Sequence, residues 1–185
     1  MTTKISPKKY LKKKELFKMP SYGKEFEDKV FEGLAALNRG RENLDFKEGY
    51  ALLEKAWDEL PEPKYYYNES FLIANWILEA AVQAKDVEMM KKWIVHIDGA
   101  DTERIDTGER DNRKGEVAFE CGDLDKAYEY FDIAFKKNGM RAIREKKYKE
   151  FYLNRKKELK NKFLLYSVND TLQFWNVPFL CLGFA

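Results

Sequence analysis

The chain has 185 residues, of which 44% are hydrophobic, 15% aromatic and 36% charged. That length allows one domain, the aromatic content excludes a disordered chain, and the charge exceeds the ~25% usual in soluble domains. The net charge of +2 hides a segregation: residues 1–20 carry seven Lys and one Glu, residues 21–140 carry 17 Lys/Arg against 27 Asp/Glu, and residues 141–185 carry ten against four.

The opening MTTKISPKKYLKKKELFKMP lacks the apolar core of a secretory signal and is expected to be a basic arm, residues 1–22. From there to residue 162, Gly, Pro and Asp separate long helix-forming stretches. These pair as 23–40 with 45–60, 64–84 with 86–98, and 107–121 with 124–137, followed by a basic closing helix at about 141–162. An apolar tail, 163–185, completes the chain. Its uncharged run, Thr171 to Ala185, is shorter than the ~20 residues a membrane span needs. Cys121 and Cys181 give neither a disulfide framework nor a metal-ligand spacing. The expected location is the cytoplasm, with no membrane association.

The second member of each pair repeats one pattern. Phe46, Gly49, Leu53 and Ala56, then Val87, Met90, Ile94 and Ile97, then Leu124, Ala127, Phe131 and Ala134 are each spaced 3, 4, 3. That spacing lays one apolar stripe along one helix face. Asp45, Asp86 and Asp123 precede the stripes and are expected to accept the free N–H groups of the first turn as N-caps. Three such pairs, each burying its stripe against the next, predict an all-α solenoid.

In the third pair, GEVAFECGDLDKAYEYFDIAF, small residues fall at Gly115, Ala118, Gly122, Ala127 and Ala134, with Phe131 between the last two. This pattern resembles the tetratricopeptide repeat (TPR), with Gly115 and Ala127 where the helices approach and Gly122 closing the first helix. More narrowly, SYGKEFEDKVFEGL, ALLEKAWDELPEPK and KYKEFY resemble segments of the short three-repeat immunity proteins encoded beside bacterial polymorphic (Rhs-type) toxins. The resemblance implies a right-handed TPR-like solenoid of three antiparallel helix pairs plus a closing helix, and a protein that binds and neutralises a cognate toxin.

In tetratricopeptide folds the first helix of each pair lines the inner face. A 37-residue offset aligns Asn75 with Asn112, Glu79 with Glu116, and Val82 and Gln83 with Phe119 and Glu120. Asn75, Glu79, Gln83, Asn112, Glu116, Phe119 and Glu120 are therefore the candidate partner-binding residues. They form either a groove of amide and carboxylate rungs for a basic protein or the ordinary polar side of an amphipathic helix. Tyr65 and Tyr66 are candidate interface aromatics, since tyrosine is enriched at interfaces. Trp57, Trp76 and Trp93 are expected as core anchors.

Chemistry finds little support. His96 is the only histidine, near a helix end where a carbonyl or solvent accounts for it, and Cys121 is expected as a small packing residue. No catalytic constellation, metal site or cofactor motif is present, and an acidic body repels phosphate, so no nucleic acid is expected. The sequence points to a non-enzymatic binding protein that occludes a basic toxin domain. The alternatives are a general scaffold or co-chaperone adaptor, which calls for Lys/Arg rungs to hold a peptide carboxylate, and a helical enzyme using groove carboxylates.

Overall fold

The computed structural model describes residues 21–99 and 107–174, with side chains described through residue 162. The basic arm through residue 20 and the tail beyond 174 lie outside the described residues. All regular structure among the described residues is helical, with no strand. Helix α1 spans Lys24–Gly40, α2 Lys47–Glu59, α3 Asn68–Ala84, α4 Val87–Ile94, α5 Glu109–Glu120, α6 Leu124–Asn138 and α7 Lys146–Phe174. Helices α1–α6 belong to one compact unit ending at Arg144, and α7 belongs to a second beginning at Glu145. No helix among the described residues is long and apolar enough to cross a membrane.

A helix that is apolar on nearly every side has to sit at the centre of a helical unit. The stretch FLIANWILEAAV in α3 is of that kind, and Phe71, Ile73, Ala74, Ile77, Leu78, Ala81 and Val82 are all buried. α3 packs against α1, α2, α4 and α5, while α1 packs mainly with α2 and α5 with α6. The amphipathic second helices bury most of the stripes expected of them. Phe46, Leu53 and Ala56, then Met90 and Ile97, then Ala127, Phe131 and Ala134 are buried, whereas Val87 and Ile94 are half-buried and Leu124, at the start of α6, is exposed.

Two of the three expected aspartate caps form. Asp86 Oδ1 accepts from the Met89 N–H at 3.1 Å, and Asp123 Oδ1 accepts from the Lys126 N–H at 3.2 Å. Asp45 stands one residue before the cap position of α2, which Phe46 holds, yet its Oδ1 still accepts from the N–H of Lys47, the first residue of the helix, at a longer 3.4 Å. The Asp45 N–H also bonds to the Gly40 carbonyl at 3.1 Å, after Leu44 has taken a positive φ of 53°. That closure of the α1–α2 loop sets Asp45 one residue early.

Close helix approach is bought with glycine, although not always against the expected partner. A Cβ at Gly115 would lie 2.6 Å from the Phe131 ring, so the close neighbour is Phe131 rather than Ala127. In the first pair, Gly33 faces Leu53 and Gly49 faces Leu37, each leucine filling the space the opposite glycine leaves. Gly122 closes α5 at φ +83°, as its spacing predicts. The equivalent position after α3 is Lys85, which adopts the same left-handed backbone at φ 55° although it has a side chain.

The closing helix differs from its expected 141–162. A 3-10 turn at Gly139–Arg141 delays its start to Lys146, and it continues as helix to Phe174, twelve residues into the expected tail. Cys121, expected to pack, is exposed at the end of α5.

Candidate functional site

The repeated Asn–Glu rungs are brought together, and an arginine joins them. Arg113 sits on α5 one residue after Asn112, with its side chain 6% exposed. Its Nη1 donates to Glu116 Oε2 at 2.6 Å, its Nε to Asn75 Oδ1 at 3.2 Å and its Nη2 to Glu79 Oε2 at 3.4 Å. Asn112 Nδ2 donates to the other Glu116 oxygen at 2.7 Å. The second Glu79 oxygen accepts from Arg41 Nη2 at 2.9 Å, in the loop after α1. One network therefore runs from the α1–α2 loop through α3 to α5.

Burial decides what this network does. Asn75, Asn112 and Glu116 are buried, and only Glu79 and Arg41 reach the surface. Two carboxylates face two guanidiniums, so these rungs present balanced charge instead of a free acidic groove. The buried members hold α5 to α3. Gln83, Phe119 and Glu120, one turn further on, are half-buried.

The tyrosine triplet divides between two aromatic groups. Tyr65 reaches inward to the Trp57 ring at 5.8 Å and shares a 2.7 Å hydrogen bond between its hydroxyl and His96 Nδ1. Trp57 lies 4.7 Å from the His96 ring and 5.3 Å from Trp93, whose Nε1 donates to Glu54 Oε1 at 3.3 Å. Of the three expected core anchors Trp93 is buried, while Trp57 and Trp76 are half-buried. Tyr67 turns the other way, 5.4 Å from both Tyr22 and Tyr66, and Tyr66 is 58% exposed.

His96 is thus a structural member of an aromatic cluster, not a solvated helix end. Burial, and then the nearby Lys92 charge, lower its pKa below the ordinary imidazole value. A lowered folded pKa means that the unfolded chain binds the proton first. The stabilisation is therefore complete above pH ~6.5 and is lost as pH falls through the folded value. The stability of the wild type should decline between pH 7.5 and 5.5, followed by denaturant titration, and His96→Gln should flatten that part of the profile. An equal slope in the variant would assign the decline to other groups.

The sequence ladder missed Arg113 and Arg41. The one available signal was the i,i+3 spacing of Arg113 and Glu116, which sets an opposite charge beside a rung. The chain matches no protein-family model, no curated protein and no solved structure.

Proposed function

We propose that the chain is a TPR-like solenoid acting as a stoichiometric binding protein, which neutralises a basic toxin domain by covering it. The observation that carries this reading is the serial packing of the first helices, α1 on α3 and α3 on α5, each backed by its own second helix. Stacked helix pairs expose an extended surface, and such surfaces serve protein recognition. The surplus of ten acidic charges over residues 21–140 favours a basic partner and speeds its association at low salt. The immunity role itself comes from the sequence resemblance.

The adaptor alternative needs an available cation on the inner face. Arg113 is a cation of suitable position, but Glu116, Glu79 and Asn75 already engage it, which favours occlusion. The test is co-expression in a bacterial host with the C-terminal domain of a toxin encoded beside this gene. Survival together with a one-to-one complex whose association slows in salt is the expected result. Killing despite soluble expression of both proteins would refute the reading.

A further inference from the structure

Helix α7 carries a surplus of one charge that pairing does not cancel. From Glu145 to Lys162 eight cations stand against three carboxylates. Each carboxylate has a cation of its own: Glu145 lies 3.7 Å from Lys147, Glu150 3.7 Å from Lys146 and Glu158 3.4 Å from Arg155. With every acid matched to a cation, five positive charges remain. Lys149, Lys157 and Lys160 make no ion pair or side-chain hydrogen bond among the described residues. Spacing then collects the surplus on one side. At 3.6 residues per turn, Lys146, Lys149, Leu153, Lys156, Lys157 and Lys160 fall within a sector of about 100°, with Glu150 just beyond its edge and no acid inside it. The strip runs about 21 Å along the helix at ~1.5 Å per residue. Lys146, Lys157 and Lys160 are exposed, Leu153 is 51% exposed, and Lys149 and Lys156 are half-buried. On the opposite side of the helix Tyr148 and Tyr152 are fully buried, and Lys156 Nζ donates to the Tyr152 hydroxyl at 2.7 Å.

We propose that this lysine strip binds the phosphate backbone of a nucleic-acid duplex, independently of its sequence. The residue types select that polyanion over others. A helix that lies on a membrane needs an open apolar face to sink into the lipid, and the apolar side of α7 is already buried at Tyr148 and Tyr152. Protein interfaces are depleted in lysine and enriched in aromatic rings and arginine, and the strip has neither a ring nor an arginine. Unpaired bases call for aromatic platforms on which to stack, which the strip also lacks. A duplex backbone asks only for point charges along a line, and the lysine ammonium is a point-charge phosphate binder. DNA offers one negative charge per ~1.7 Å of axis, so a strip of about 21 Å meets more phosphate than its lysines can neutralise. The expectation that no nucleic acid is bound came from the acidity of residues 21–140. At physiological salt an exposed charge is largely screened beyond about 8 Å, so the surplus on α7 governs what approaches the strip itself. The proposal is separate from the toxin-binding reading and does not depend on it.

The experiment titrates the full chain into a fluorescein-labelled DNA duplex of about 20 base pairs and follows anisotropy from ~50 to ~200 mM salt. If all five lysines of the strip meet phosphate, log affinity should fall against log salt with a slope of about −4.5, a loss of roughly 500-fold over that range. A duplex of permuted sequence should bind within about twofold. Lys157→Gln/Lys160→Gln removes two exposed side chains that hold nothing in the fold; it should weaken binding at least about tenfold at the lowest salt and make the slope shallower by about 1.8. Lys157→Arg/Lys160→Arg keeps the charge and should bind like the wild type. Lys47→Gln/Lys91→Gln removes two exposed cations from α2 and α4 and should stay within about twofold. A polyglutamate peptide and phosphatidylglycerol vesicles should both bind at least about tenfold more weakly than the duplex. No binding at the lowest salt, an unchanged slope in Lys157→Gln/Lys160→Gln, or equal weakening by the control pair would each overturn the proposal. Polyglutamate or vesicles bound as tightly as the duplex would overturn it too, by assigning the strip to an acidic protein or to a membrane.

Discussion

Replacing Arg113 by Ala should lower stability by about 3–5 kcal/mol, the cost of removing one partner from a buried ion pair. The structure sets the expectation at the high end of single-residue effects for two reasons. Arg113 and Glu116 are 6% and 2% exposed, so water cannot take over the interaction, and the same guanidinium also serves Asn75 and Glu79. For a chain of this length the loss corresponds to a fall in melting temperature of roughly 6–20 °C. Arg113→Lys keeps the charge but cannot fork to three acceptors, so it should recover only part of the loss. Arg113→Met/Glu116→Met removes both buried charges but leaves the buried Asn75 and Asn112 amides without these partners, so it should regain only part of the loss. Denaturant unfolding of the four proteins measures all of this. A loss under 1 kcal/mol in Arg113→Ala would mean that the network is dispensable for holding α5 to α3.

The network also marks how far the sequence could be read. Break residues and periodicity located six helices within a few residues, and the single-faced 3, 4, 3 stripes of α2, α4 and α6 marked most of their buried side, although Leu124 at the start of α6 is exposed. Asp86 and Asp123 were legible because an N-cap acts within three residues. Asp45 was legible only in part: it accepts the Lys47 N–H, but the closure of the α1–α2 loop onto Gly40 leaves it one residue ahead of the cap position. The i,i+4 spacing of Asn112 and Glu116 placed both on one face of α5. Spacing cannot show what lies opposite that face, and it is Asn75 and Glu79, contributed by α3, that meet Arg113 there. The same limit hid the bond between Tyr65 and His96, 31 residues apart, and the seat that Glu69 makes for Ser21 and Tyr22, 48 and 47 residues away. The end of α7 was misplaced for a different reason. Composition changes from basic to apolar near residue 162, yet a change of composition is not a stop signal, and neither Gly nor Pro occurs between Gly139 and Pro178.

Gly49→Val should cost about 3 kcal/mol, the upper end of the usual overpacking range, through the crossing of α1 and α2. A Cβ at Gly49 would lie 2.4 and 2.6 Å from the Leu37 side chain and 2.8 Å from the Leu37 backbone nitrogen. A side chain can turn aside, whereas a backbone nitrogen moves only if the helix moves. Gly33, across the same crossing, provides the control. Its added Cβ would meet Leu53 side-chain atoms at 2.6 and 2.7 Å, with the nearest backbone atom at 3.4 Å. Both sites are helical, so alanine at either one gains roughly 1 kcal/mol of helix propensity. At Gly33 that gain offsets much of the cost of repacking Leu53, and Gly33→Ala should be close to neutral. At Gly49 the gain cannot offset separating two helices, and Gly49→Ala should be less stable than Gly33→Ala by at least about 1 kcal/mol. Adding Leu37→Ala to Gly49→Ala should fail to restore stability, because the backbone nitrogen stays in place while a buried side chain is lost. Thermal unfolding of the four variants and the wild type separates the cases. Equal stabilities for the two alanine variants would show that α1 can shift away from α2 without cost, and the glycine–leucine interlock would then have no part in fixing how the first pair of helices crosses.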